Sequence, residues 1–555
     1  MRRTAAVLCG AAIAMAGLPA GAPAAASAAP PALTSAVTTG TTGTTAPGTP
    51  TTGSPSASSP PAAAKLGWKK CATGDTPTLQ CASLKVPLDH AKPSGRKITL
   101  ALSRVPHTAR TFQGPLLVNP GGPGGSGRSL AGFVASSLPK AVAAQYDVIG
   151  FDPRGVGAST PALDCAPGHF APVRPDTVPR TPALEQANLS RARSFARACG
   201  AKYKDLLPYL DTVSAARDMD AMRRALGAKK INYFGYSYGT YLGAVYAKLY
   251  PQRVRRLVLD SIVDPRGVWY EDNLQQDHAF EERHRAFLAW IAEHDAAYGL
   301  GTDPAAVEAE WHTMREDLAA HPAGGTVGAA ELEDTFIPGG YYDGYWPYLA
   351  EAFAAWVHDK DADALVGAYR TFGAVDAAGD NGYSVYTAVQ CRDAGWPKDW
   401  NRWREDNWAV YSKSPFMAWN NAWYNAPCAF WPTPAKRPVD VANDKLPPAL
   451  LFQATDDAAT PYEGGVRTHH LLRGSALVVE EGGGNHGITL SGNACLDGHL
   501  ATYLRTGKVP HGPGEADARC AALPAPKPRP AGEAAKAAPK PSPGSALHGL
   551  LGFRS

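Results

Sequence analysis

The chain has 555 residues, too many for one compact core, so length implies a large domain carrying an insertion, or two to four domains. Its net charge of +4 is small and dispersed, which sets nucleic-acid binding aside as a class. Beyond the N-terminal apolar run, no stretch is long and apolar enough to cross a bilayer.

In chain order, Arg2 and Arg3 precede an apolar run from Ala5 to Leu18 and then the small residues Ala26-Ser27-Ala28. That pattern reads as a secretory signal peptide over 1–28, with Cys9 lost on cleavage. Residues 29–64 are almost entirely Thr, Pro, Ser, Gly and Ala and predict a disordered leader. The mature chain is then expected outside the cell and soluble, where cysteines oxidise. Eight remain: Cys71, Cys81, Cys165, Cys199, Cys391, Cys428, Cys495 and Cys520. Their grouping favours nearest-neighbour pairs, 71–81, 165–199, 391–428 and 495–520. No C-x-x-C or tight Cys/His cluster supports a metal site instead.

A first core segment is expected over 65–265. Residues Cys81 to Leu88 and Lys97 to Val105 alternate as strands do, with Pro93-Ser94-Gly95 as their turn. Gly114 to Pro120 is a buried-strand run that discharges into Gly121-Gly122-Pro123-Gly124-Gly125-Ser126-Gly127. A glycine loop at a strand tip lets backbone N–H groups approach a ligand, as in a dinucleotide loop or an oxyanion loop. The spacing fits neither G-x-G-x-x-G nor a Walker loop, which leaves the oxyanion reading. Tyr146 to Phe151 predicts another buried strand, ending in Asp152-Pro153-Arg154-Gly155. Asp211 to Gly227 has helical spacing, with Gly227 as its C-cap.

Next, Ile231 to Phe234 runs into Gly235-Tyr236-Ser237-Tyr238-Gly239 and then a helical stretch from Tyr241. The pentapeptide alone is a weak signal, equally a Gly/Ser turn. Strand, sharp turn and helix together form the setting of a nucleophile elbow. Val254 to Asp260 adds a strand. The alternation of strands and helices predicts an α/β fold with a mainly parallel sheet covered on both faces. It breaks over 266–431, a helical stretch holding every tryptophan except Trp68, which reads as an inserted lid. Most of its aromatics are expected to pack the lid, and some to line a cleft facing the elbow. A second core segment, 432–522, resumes with Pro447 to Gln453, then Asp456-Asp457, then the strand Ala476 to Val479 and Gly482-Gly483-Gly484-Asn485-His486-Gly487. The Pro/Ala/Lys composition of 523–555 predicts a disordered tail.

A serine needs a base to take its proton and an acid to orient that base. In α/β-hydrolases these follow in the order Ser, Asp/Glu, His, each after a sheet strand. Here they are Ser237, then Asp457 or Asp456, then His486. His469, His470, His499 and His511 are also C-terminal, but none follows a strand in a glycine turn.

The motifs Val86-Pro87-Leu88-Asp89, Asn119-Pro120-Gly121-Gly122-Pro123-Gly124, Phe151 to Gly155 and Gly235 to Gly243 resemble the secreted tripeptidyl aminopeptidases of the proline-iminopeptidase branch of α/β-hydrolases. The resemblance runs from about Trp68 to Cys520, and its C-terminal part looks like the TAP-like domain. It implies an α/β-hydrolase fold with a helical lid, and it places the catalytic acid at Asp457 within Gln453 to Pro461. It further implies an oxyanion hole from the backbone N–H groups of Gly122 and Tyr238, no metal or organic cofactor, and peptide substrates with free N-termini. Releasing tripeptides requires an acceptor for the substrate ammonium, with Glu271, Asp272, Asp343 and Asp393 as the lid candidates. A carboxylic-ester hydrolase with the same triad and a non-catalytic binding protein are the competing functions.

Overall fold

The computed structural model describes residues 66–74, 76–530 and 542–551. The expected signal peptide over 1–28 and leader over 29–64 lie outside the described residues.

The described residues build one ten-stranded sheet: β1 (Lys69–Lys70), β2 (Gln80–Pro87), β3 (Lys97–Val105), β4 (Pro115–Asn119), β5 (Asp147–Phe151), β6 (Ile231–Ser237), β7 (Val254–Ile262), β8 (Leu450–Ala454), β9 (Ala476–Glu481) and β10 (Ala518–Ala521). Their order is β1-β2-β3-β5-β4-β6-β7-β8-β9-β10. β1 to β3 and the β3–β5 pair are antiparallel, and all pairs from β5 onward are parallel. The expected strands all form, each within about three residues of its predicted limits. β1 and β10, too short to carry a periodic signal, were not predicted.

Alternate residues of the central strands point to opposite faces, and both faces are covered. Leu117, Ile149, Tyr233, Leu259, Leu451 and Leu477 face one core, with Met219, Leu242 and Val245 from the helices Thr212–Ala225 and Tyr238–Leu249. Leu116, Val118, Val148, Phe234, Phe452 and Val478 face the other, with Val134 and Leu500 from Arg128–Ser137 and Ala494–Thr506. The central strands carry apolar runs on both faces because neither face meets water there.

The insertion is helical from Tyr270 to Phe430, as its lack of strand runs predicts. It divides in two by its packing. Phe287, Trp311, Phe336, Trp346 and Phe353 form a core of their own. Tyr383, Trp396, Trp403, Tyr424 and Trp431 instead join the core that lies on the sheet. Buried ion pairs clamp the first part to the 174–177 loop of the first core segment: Arg315 bridges Asp176 and Glu333, and Arg174 bridges Glu331 and Asp334.

All four disulfides are the nearest-neighbour pairs, Cys71–Cys81, Cys165–Cys199, Cys391–Cys428 and Cys495–Cys520. Their Cα separations run from 4.6 to 5.9 Å, within the range a disulfide spans.

The expectation of a disordered tail over 523–555 fails where the chain is described. Trp290 donates its Nε1–H to the Pro526 carbonyl at 2.9 Å, and Arg529 pairs with Glu351 on the insertion. Pro543–Leu551 is a helix. Ser542 caps it by accepting the Ser545 N–H at 3.1 Å, and Pro543 takes the first helical position. Leu547 and Leu551, one turn apart, are buried in the second core. Averaging over Pro, Ala and Lys hid this short amphipathic end.

The Asp152-Pro153-Arg154-Gly155 stretch is structural. Arg154 is buried and grips Asp218 with Nε and Nη2 at 2.8 and 2.7 Å, while Nη1 donates to the carbonyls of Leu88 and Tyr209. Removing one partner strands the other charge out of water. Arg154→Ala is therefore expected to cost about 3–5 kcal/mol in denaturant unfolding. A loss below 1 kcal/mol would contradict this role.

Candidate active site

Ser237 ends β6 and precedes the helix Tyr238–Leu249, with φ 56 and ψ −130. Few non-glycine residues occupy that region, and such strain persists only where packing enforces it. The flanking glycines permit it by close approach. A Cβ on Gly235 would lie 2.5 Å from the Gly239 carbonyl oxygen, so no larger residue allows this turn. The glycine loop after β4 closes onto the same turn. A Cβ on Gly121, at φ +104, would sit 2.7 Å from the Tyr236 oxygen and 3.0 Å from the Tyr238 nitrogen. Ser126 Oγ donates to Asp152 at 2.5 Å, tying that loop to the strand beside it.

One cavity of about 430 Å³ is lined by Ser237, Gly122, Tyr238 and His486. The predicted nucleophile, base and both predicted oxyanion donors thus share one space, at the C-terminal ends of the parallel strands. Tyr238 begins a helix, where backbone N–H groups have no intrahelical acceptor.

The choice between the two aspartates resolves geometrically. Asp457 is buried and holds both carboxylate oxygens 3.0 Å from His486 Nδ1. Its Oδ1 also accepts the N–H groups of Ala459 and Thr460 at 2.9 and 3.0 Å, and Oδ2 accepts the Thr460 hydroxyl at 2.9 Å. Asp456 is exposed, and it and Asp457 both line a second cavity. The buried Arg283 guanidinium, packed on Trp346 at 4.7 Å, faces Asp343, Asp456 and Asp457, and burial lowers its pKa.

Several residues that hold His486 in place escaped the sequence reading. Its N–H donates to the Tyr341 carbonyl of the insertion at 2.8 Å, and its ring meets Tyr341 edge-on at 5.4 Å. The turn after it is pinned from β7. Ser261 Oγ accepts the Gly487 N–H at 2.7 Å, and Asp260 accepts the N–H groups of Ile488 and Thr489 at 3.1 and 2.8 Å. Burial lifts the Asp260 carboxyl to about 6, against four hydrogen bonds that favour its charged form. A carboxylate inside the apolar run Leu257-Val258-Leu259 was the available signal, since a buried charge must have partners.

Of the four carboxylates considered for a substrate ammonium, the structure brings two to the cavity. Glu271 and Asp272 line it, joined by Asp264, Glu463 and Arg467. Arg467 is occupied by Asp264. Asp272 Oδ2 is buried with no hydrogen-bond partner among the described residues. Burial first, then the charges of Asp264 and Glu271, hold the Asp272 carboxyl well above the usual carboxylate range. Asp343 lies away from the cavity, its N–H given to Asn485. Asp393 is buried behind Tyr238: it accepts the Thr212 N–H at 2.9 Å, and Thr212 Oγ1 lies 2.7 Å from the Tyr238 hydroxyl. The aromatic wall is Trp269, Tyr341, Tyr386 and Tyr424. Most other tryptophans pack the insertion, with Trp311, Trp403 and Trp419 fully buried.

A twisted, mainly parallel sheet with a strained serine turn and a late Asp–His pair defines a class. A family model described as the alpha/beta hydrolase fold matches residues 114–491, and the chain belongs to that family. Among its relatives, a tripeptidyl aminopeptidase of Streptomyces lividans is 44% identical over 480 residues, covering 84% of this chain and 88% of that protein. Serine protease Hip1 of Mycobacterium bovis is 33% identical over 454 residues, covering 78% and 86%. Carboxylesterase B of Mycobacterium tuberculosis is 32% identical over 470 residues, covering 81% and 89%.

Proposed function

We propose that this protein is an exported serine exopeptidase that releases tripeptides from free N-termini through an acyl-enzyme on Ser237. His486 takes the Ser237 proton, and the oxygen attacks the peptide carbonyl. The backbone N–H groups of Tyr238 and Gly122 hold the resulting oxyanion. His486 then gives its proton to the leaving amine, and water, activated the same way, releases the tripeptide. Asp457 keeps Nδ1 protonated and steadies the imidazolium. The chemistry needs no metal or organic cofactor. Export through the N-terminal signal over 1–28 belongs to the same reading, and the four disulfides fit an oxidising compartment.

The observation that carries the aminopeptidase reading is the Asp272 carboxyl, its Oδ2 without a hydrogen-bond partner among the described residues, beside Glu271 in the cavity that holds Ser237 and His486. Crowded carboxylates with a raised pKa are relieved by a cation, and a peptide N-terminus is a cation. The relatives' names agree with this reading. Carboxylesterase B supports the second one, an ester hydrolase with the same triad.

The test compares a tripeptidyl-nitroanilide, its N-acetylated form and a short nitrophenyl ester. Acetylation is expected to remove most turnover of the nitroanilide. A hydrogen bond to a charged group is worth roughly 1.5–3 kcal/mol, so Asp272→Asn should lower kcat/KM on the free peptide by about one to two orders of magnitude. The ester rate should change little. Undiminished cleavage of the acetylated peptide would sink the aminopeptidase reading and favour the esterase.

A further inference from the structure

The C-terminal helix Pro543–Leu551 stands at the histidine side of the cavity. Leu551 is one of the residues lining it, and a Cβ placed on Gly487 would meet Leu551 Cδ1 at 2.6 Å and Leu547 Cδ2 at 3.5 Å. Both leucines therefore rest directly on the backbone that follows His486. His548 is fully buried and stacks on Tyr342 with ring centroids 4.3 Å apart. Tyr342 directly follows Tyr341, whose carbonyl receives the His486 N–H. Burial holds the His548 imidazole down at about 3, so it packs as a neutral ring. The helix also packs on Arg128–Ser137, which follows the glycine loop. It thus bridges the insertion and the core at the catalytic centre.

In an acyl transfer, the histidine that deprotonates the serine also protonates the leaving group, so the leaving group must lie against that histidine. For a peptide cut after its third residue, the leaving group is the entire remaining chain. We propose that the C-terminal helix is the leaving-group wall of this cavity and selects substrates by the length of chain beyond the scissile bond, favouring short leaving groups over long ones. This rests on the exopeptidase reading above and adds to it a specificity element drawn from the tail.

The test uses the full chain carrying Leu547→Asp and His548→Asp together. Neither side chain lines the cavity, and two carboxylates cannot stay buried there unpartnered, so the helix should undock. Loss of hydrogen-exchange protection over 543–551 reads that directly. Leu547→Asp alone serves as the milder second variant. The readout is the ratio of kcat/KM on a free ten-residue peptide to that on a nitroanilide with the same first three residues. Undocking is expected to raise this ratio at least fivefold; both substrates use Ser237 and His486, so any general loss from loosening the turn after His486 divides out of it. An unchanged or lower ratio in an undocked variant overturns the proposal. If parent and variant both cut esters but no peptide, the exopeptidase reading has failed instead. The wall is then read from Ser237 labelling: a bulky phosphonate should gain at least fivefold over a small one on undocking, and equal gains overturn the wall.

Discussion

Ser237→Ala is expected to lower kcat by about six orders of magnitude, the loss seen when a serine hydrolase is stripped of its nucleophile. The fold should be unaffected. Alanine carries the same Cβ as serine at φ 56, so the strain of the turn is unchanged. What strains the turn is the packing of Gly121 and Gly235 against it, and both remain. Thermal unfolding should match the parent while single-turnover acylation disappears. A variant retaining more than a hundredth of the parent rate would remove Ser237 from the mechanism.

Asp457→Asn is expected to lower kcat by about four orders of magnitude. The argument is one of hydrogen-bond direction. Oδ1 is committed to the N–H groups of Ala459 and Thr460, so the asparagine oxygen must stay there. Its amide nitrogen then faces His486 Nδ1 and makes that atom an acceptor. The ring proton moves to Nε2, where a base for Ser237 needs a lone pair. Thr460 can reorient its hydroxyl to accept, so the fold survives. Asp456→Asn, at an exposed position off the histidine, should leave kcat within about twofold. Equal losses from both substitutions would mean that stability, not tautomer control, explains the first.

Much of this site was legible because its chemistry is local. A nucleophile turn needs two glycines and a serine between a strand and a helix, and those residues are contiguous from Gly235 to Gly239. The strands β4 to β9 announce themselves because burial on both faces leaves an apolar run in the middle of each. His486 stands in a glycine turn directly after β9. What hid the rest was distance along the chain. Thr460 was visible near Asp457, but its hydroxyl matters only because His486 lies 3.3 Å away from it. Asp260 reads as a stray charge until the turn at 487–489 arrives to donate to it.

By itself, then, the sequence determined the fold class, the chain order in which Ser237, Asp457 and His486 follow their strands, and the pairing of the cysteines, because each depends on neighbours or on a short repeating period. Chain position left Asp456 and Asp457 open and the resemblance favoured Asp457, which the structure puts against the histidine. Only the tertiary structure decided that Asp272 enters the cavity while Asp343 and Asp393 do not, and that the tail ends in a helix against Gly487. Those outcomes turn on which side chains meet across separations of tens to hundreds of residues, where burial and hydrogen-bond satisfaction choose among positions that look alike along the chain.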